Sequence, residues 1–488
     1  MNRRVDKVLF VVAEAVPFVK AGGVADMAGA LPAVLKKNNC DVRIFLPLYG
    51  RIDKKKHDMK MVMSGLEERV GRLKYKFDIY EASSYEGVKV YLLANYKLYG
   101  SRKEVYGYED DNLRFYFLNK MALRFVKEGE FKPQVIHCND WQCGLIPYFL
   151  NFDDEFSIIS DMATLYTVHN LSYQMMWIPK YLSKYGVDNG KSLIEPLLSK
   201  IRNLNFAKRA ILNADKINAV SEQYAEEILT TEFGMGLDKI LVSRKRDLEG
   251  ILNGIDYFQF NPLSDSFLFQ HYDENDLNGK TENKLFLQKR FGLPKNKDVP
   301  LFGIVSRLVG HKGFDLMGTV LKVLLKMPVQ IVVTGTGEKK YVRLFQKLAK
   351  KYPKKIATHL ELDLEVASQI YAGSDMFLMP SKFEPCGLSQ LIALRYGSVP
   401  IVHHVGGLSD TICDFDVVTK IGNGFVFENY HELSFYGAII RALEHYKNKD
   451  VWIPLVKNVM RERFSWDASA LKYLSLYEKA YQKRLEEY

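Results

Sequence analysis

The sequence predicts an α/β protein built of two parallel-sheet halves, and three observations predict it. Short apolar runs of strand length alternate with amphipathic helical segments; the alternation lapses once, between Asn253-Gly254 and Pro300; it then restarts in the same rhythm. A chain of 488 residues is about three times the common domain size, room for two or three separate cores.

The first apolar run, Val8 to Val12, leads through Gly22-Gly23 into Val24, Met27, Ala28, Leu31, Val34 and Leu35 at helical spacing, which gives a buried strand, a glycine turn and an amphipathic helix. Asp41 to Leu46 is a second strand, and further strands fall at 135–137, 165–168 and 216–220. Strands joined by helices imply a parallel sheet with right-handed crossovers. The lapse holds polar stretches at 273–276 and 294–298 and marks a domain boundary. Strands return at 301–305, 329–333, 376–379 and 399–402. Past Ser465, a capping residue, Trp466, Ala470, Tyr473 and Tyr477 share one stripe of an amphipathic helix.

Composition narrows the class. Hydrophobic residues at 47% and charged residues at 26% exclude wholesale disorder. The apolar runs are far shorter than the roughly 20 residues of a membrane span. The start of the chain lacks the long apolar region and small-residue cleavage site of a signal peptide, so the cytoplasm is the default location. Five cysteines without a Cys-x-x-Cys indicate neither a disulfide framework nor a zinc site. The net charge of +10 comes from short lysine clusters interleaved with acids, a solvated face rather than a nucleic-acid patch.

Several loops after strands carry chemistry. Lys20-Ala-Gly-Gly-Val24 stands between strand and helix, where glycines admit a ligand and a helix start favours an anion; a tight turn with an exposed lysine explains it equally well. Ser306 to Gly313 repeats the placement in the second half, with Arg307 and Lys312 as two cations suited to a pyrophosphate. Ser381 to Gln390 converges backbone N–H groups beside Glu384. Asp140-Trp141, His169-Asn170 and Asn253-Gly254 also follow strands. Other motifs fail: Gly335-Thr-Gly337 lacks the third glycine of a dinucleotide fingerprint, Gly279-Lys280-Thr281 lacks the first glycine of a phosphate loop, and Asp414-Phe-Asp416 reads as a loop, not a metal site.

Together these segments resemble the bacterial glycogen synthase and plant starch synthase family, retaining glucosyltransferases that lengthen α-1,4-glucan from a nucleotide-glucose. The resemblance spans the chain: Lys20 to Asp26, Tyr106-Gly-Tyr with Asp111-Asn112 and Arg114-Phe115, Asp140-Trp141, Thr167 to Asn170, Gly250 to Asp256, Ser306-Arg307 with Lys312-Gly313, Pro380 to Leu388, Gly406-Gly407 with Asp410-Thr411, Gly424 to Phe427, and Phe464 to Trp466. Ala21 departs from the family's threonine, Asn139 and Gln142 stand where histidines are common, and Ile392 stands where many related enzymes carry a second glutamate.

The resemblance implies the GT-B architecture: two Rossmann-like domains with parallel sheets facing across a deep cleft. An acceptor-side domain of 1–256 would be completed by a helix at 466–488, and 257–465 would form the donor side. It implies catalytic roles for Glu384, His169, Asp140, Lys312 and Arg307. Lys20, Gly22, Gly23, Asn253, Gly387, Leu388 and Ser389 would join Arg307 and Lys312 in binding the donor, and Tyr99 and Asp26 would meet the acceptor. Expected partners are ADP-glucose or UDP-glucose, the former favoured by the bacterial resemblance, and an α-1,4-glucan; no metal, cofactor, nucleic acid or membrane is expected. A plastid-like compartment is the alternative to the cytoplasm if a transit peptide has been removed. A different GT-B transferase making a small glycoside, and a glucan- or nucleotide-binding protein without activity, are the competing readings, and fold alone does not separate them.

Overall fold

The computed structural model describes residues 4–70, 73–84, 86–177, 204–361 and 363–487. Met1 to Arg3, part of the segment read for a leader, lie outside the described residues. The chain divides into two compact units, one of residues 1–220, 225–251 and 466–488, the other of 221–224 and 252–465.

The first unit is built on a nine-stranded sheet. Its strands are β1 (Lys7–Val11), β2 (Asp41–Pro47), β3 (Lys60–Val70), β4 (Leu73–Ser83), β5 (Lys89–Ala94), β6 (Val135–Asn139), β7 (Ala163–Val168), β8 (Lys216–Ala219) and β9 (Leu248–Gly250). The order is β9-β8-β7-β6-β1-β2-β5-β4-β3, parallel except that β3 and β4 add an antiparallel edge. Strands β6 and β7 are buried along their whole length, as parallel strands covered on both faces should be, and the polar His137, Asn139, Thr164 and Thr167 are buried with them. Helix α1 (Gly23–Lys37) follows β1, with Asp26 in its first turn and Lys36 and Lys37 in its last, matching the helix dipole. Helix α2 (Asp111–Glu128) buries Phe115, Phe117, Leu118 and Met121.

The second unit carries a six-stranded parallel sheet of β10 (Leu301–Val305), β11 (Gln330–Thr334), β12 (Ile356–His359), β13 (Met376–Met379), β14 (Val399–His403) and β15 (Phe425–Phe427), in the order β12-β11-β10-β13-β14-β15. Helix α3 (Phe314–Leu324) follows β10 and α4 (Ser389–Arg395) follows β13. Helix α5 (Trp466–Glu486) returns to the first unit, against α1, β6, β7 and β8. Its buried stripe of Trp466, Ala470, Tyr473, Leu476 and Tyr477 ends in Arg484, which donates to buried Asp215 at 2.9 Å. Tyr477 Oη meets His137 Nδ1 at 2.8 Å, and Tyr473 Oη accepts from Asn218 at 2.8 Å. Among the described residues no helix is long and apolar enough to cross a membrane.

Candidate active site

Strand order reverses direction once in each sheet, between β1 and β6 in the first and between β10 and β13 in the second. Loops leaving the carboxyl ends of such strand pairs diverge and open a crevice, the usual ligand site of open α/β sheets. The residues singled out from the sequence gather at both places.

In the second unit, the loop after β10 bears Arg307 and Lys312 and the loop after β13 bears Ser381 and Glu384. They are tied directly: Lys312 Nζ donates to Glu384 Oε2 at 2.5 Å, and Ser381 Oγ donates to the same oxygen at 2.9 Å. Glu384 is buried and Lys312 largely so, whereas Glu384 Oε1 makes no hydrogen bond among the described residues. Arg307 is exposed, without an ion pair among the described residues. Backbone packing fixes this geometry. Gly313, at φ +79, ends the Lys312 turn so close to β13 that a Cβ would stand 1.9 Å from the Pro380 carbonyl oxygen. Gly335, at φ +138, lies against Ser306, where a Cβ would be 1.8 Å from its carbonyl oxygen, so the false fingerprint Gly335-Thr-Gly337 serves to seat the Arg307 loop. Gly387, Leu388 and Ser389 lead into α4. Asn253 is buried, and its Oδ1 has no hydrogen-bond partner among the described residues. The neighbouring Cys386 thiol is pushed up to about 12 by burial, which makes it a poor nucleophile. Asp414 accepts from Val426 N and Arg441, and Asp416 caps its own turn, so these two acids are spent on loop structure. Gly279-Lys280-Thr281 sits in a helix, with Lys280 Nζ enclosed by the carbonyls of Ala372, Ser374 and Tyr396.

In the first unit, Asp140 follows β6 in a left-handed conformation (φ +55), unusual for a non-glycine residue and a mark of imposed geometry. Its Oδ1 accepts from the backbone N–H groups of His169 (2.8 Å) and Asn170 (3.3 Å), joining the loops after β6 and β7. Burial nevertheless pushes its carboxyl up to about 7. Burial also lowers His169 to about 3, so the imidazole is neutral at ordinary pH. Its tautomer follows from the neighbours. Asn139 Nδ2 donates to the Val11 and His137 carbonyls, so Asn139 Oδ1 must accept, and His169 Nε2, 3.0 Å away, carries the proton. The lone pair on Nδ1 takes no hydrogen bond among the described residues.

Two positions differ from expectation. Gly22 N–H donates to Glu14 Oε2 at 2.8 Å, as does Ala21 N–H, so part of the glycine turn is bound to an internal carboxylate rather than offered to a phosphate. Lys20 is exposed and paired with half-buried Asp26 at 2.6 Å, and Gly23 opens α1. Tyr99 is fully buried, with its hydroxyl donated to the Arg114 carbonyl at 2.6 Å; it presents nothing to a glucan and supports the core instead. Sequence reasoning missed Glu14 and the role of Ser381. A lone acid at the end of the apolar run Val8 to Ala13 is the available signal for Glu14. Among the described residues no cluster of three or more His, Cys, Asp or Glu is spaced to hold a metal ion.

Comparison with known proteins agrees with this geometry. The starch synthase catalytic domain family matches residues 7–243, and the family of glycosyl transferases group 1 matches residues 286–458. The chain is 43% identical to the glycogen synthase of Thermotoga petrophila over 98% of this chain and 99% of that one, and 42% identical to the glycogen synthase of Geotalea daltonii over 98% and 99%. Among solved structures, the catalytic domain of starch synthase IV from Arabidopsis thaliana, bound to ADP and acarbose, superposes with a TM-score of 0.90 at 33% identity, covering 98% of this chain and all of that one. Sucrose-phosphate synthase from Thermosynechococcus elongatus shares the fold, with a TM-score of 0.59 at 16% identity. With both sheet switch points furnished as described and full-length relatives at this level of identity, the chain belongs to the glycogen synthase and starch synthase family of GT-B glycosyltransferases.

Proposed function

We propose that the protein transfers glucose from a nucleotide-glucose, ADP-glucose before UDP-glucose, to the non-reducing end of an α-1,4-glucan with retention of configuration. The observation that carries this reading is the Lys312–Glu384–Ser381 cluster at the switch point of the second sheet, with Arg307 on the neighbouring loop. It offers what the two ends of the donor need, cations for a leaving diphosphate and a buried carboxylate oxygen for glucose hydroxyls. The second unit is therefore assigned to the donor and the first, with His169 and Asp140, to the acceptor.

As the bond from glucose C1 to the diphosphate oxygen breaks, negative charge grows on that oxygen. Arg307 and Lys312 stabilise it, the kind of interaction that usually contributes most to catalysis. The acceptor hydroxyl oxygen bonds to C1 on the same face, and its proton passes to the departing diphosphate. Neutral His169 accepts a sugar hydroxyl through Nδ1, oriented by Asn139. Fixed cations standing where a metal would otherwise act make elongation independent of divalent ions in this reading. The cytoplasm is the matching location.

Incubation with glycogen and radiolabelled ADP-glucose or UDP-glucose, with and without a chelator, is the test. Label in lengthened chains with either donor, unaffected by the chelator, is expected. No incorporation from either donor would overturn the reading, and loss on chelation restored by magnesium or manganese would overturn its metal independence.

A further inference from the structure

The turn after β1 binds an anion that the chain itself supplies. Glu14 is 2% exposed, and its Oε2 takes the N–H groups of Ala21 and Gly22. The turn's ends, Lys20 and Asp26, close on each other at 2.6 Å. A buried carboxylate held by two amides is a strong, directional contact, and nothing else among the described hydrogen bonds fixes those two N–H groups. The turn also lies beside the resemblance's Tyr106 segment: a Cβ on Gly22 would come within 3.6 Å of Tyr106 Oη and 3.3 Å of Glu14 Oε1. That segment is itself anchored, since Asp111 Oδ2 accepts from Gly107 N (2.6 Å) and Tyr108 N (3.2 Å) while Oδ1 pairs with buried Arg114.

We infer that Glu14 is a positioning residue for glucosyl transfer, its carboxylate occupying the amides of the glycine turn so that the Lys20–Asp26 pair is held in one place for the substrate. This rests on the proposed function. The alternative, that these amides bind a donor phosphate, makes the opposite prediction: Glu14 would then compete with the donor, and removing its charge would tighten donor binding.

The variant Glu14→Gln keeps the shape but removes the charge. Its kcat should fall at least tenfold while the donor KM stays within about threefold and the melting temperature stays near wild type, a split that a merely structural role would not produce. Gly22→Ala is the second variant. Gly22 is extended (φ −148, ψ −169), a conformation any residue adopts, so the added methyl presses on the Glu14 carboxylate at 3.3 Å, meets Tyr106 Oη at an ordinary contact distance of 3.6 Å, and should lower kcat without unfolding the chain. Hydrogen exchange on the intact protein gives a readout independent of activity: the Ala21 and Gly22 amides should be protected in the wild type and lose at least tenfold protection in Glu14→Gln. Unchanged protection, unchanged kcat in both variants, or a lower donor KM without loss of kcat would each overturn the inference. A wild type that elongates no glucan while those amides lose protection in Glu14→Gln would instead remove the catalytic reading and keep the clamp.

Discussion

Lys312 divides its charge between Glu384 and the place assigned to the leaving diphosphate, so Lys312→Ala should lower kcat far more than it raises donor KM, by ~2–4 kcal/mol of transition-state stabilisation. Lys54→Ala, at an exposed lysine resting on Tyr80, should match wild type in the same steady-state assay. Cys386→Ser should keep most activity because its buried thiol does not ionise, whereas Glu384→Ala should lose nearly all of it; a glucosyl group trapped on Cys386 and seen by mass spectrometry would contradict both. Asp140 gives a pH signature. Its folded-state value lies above the ordinary carboxyl value, so its contribution to stability is complete below that ordinary value and is lost as pH rises through about 7. Asp140→Asn cannot ionise. Its melting temperature should therefore gain on wild type between pH 5 and pH 8, by roughly 2–4 °C for each kcal/mol regained, while activity falls. At this scale Arg307, Lys312, Glu384 and His169 stand out in the sequence because each lies in a distinctive string in a loop after a strand. The surroundings of Tyr99 and Glu14 are not legible there because what decides them is the partner across space, the Arg114 carbonyl for one and two amides for the other.

Helices and strands were legible wherever their buried faces are apolar, as in β1, α1 and the stripe of α5. The polar stretch before Pro300 shows where that rule stops. It contains a helix, Asn278–Arg290, whose buried residues include Lys280, Asn283, Lys284 and Gln288. Lys280 caps carbonyls at two helix ends, and Lys284 pairs with Asp375 at 2.6 Å and reaches Tyr446 Oη at 2.9 Å. Such a face has no hydrophobic periodicity to find, so a packed helix reads as a linker. Loop elements depend on backbone approach instead. Gly313→Ala meets both a left-handed φ and the Pro380 carbonyl, so it should cost ~1–3 kcal/mol and displace Lys312 as well. A melting curve and a kcat measured together would show both losses; an unchanged pair would mean the turn has room that the close approach denies.

The first unit is discontinuous in sequence: residues 1–220 and 225–251 share it with α5, which the chain reaches only after building the second unit. What α5 brings is polar as well as apolar. Arg484 faces Asp215, whose Oδ2 also accepts from Thr164 N (2.6 Å) and Thr164 Oγ1 (2.8 Å), and all of these lie in the interior. Arg484→Ala strands a buried carboxylate and should cost ~3–5 kcal/mol in a denaturant titration, the usual penalty for breaking a buried pair from one side. The same arrangement sets an order of events during synthesis. When Ile251 leaves the ribosome, His137, Asn218 and Asp215 have met none of their partners on α5, and the chain must grow by roughly two hundred residues before Trp466 appears. At about 5–20 residues per second this wait is roughly ten to forty seconds, during which the half-built unit exposes an uncovered sheet face to chaperones and proteases. The segment translated first is thus completed last.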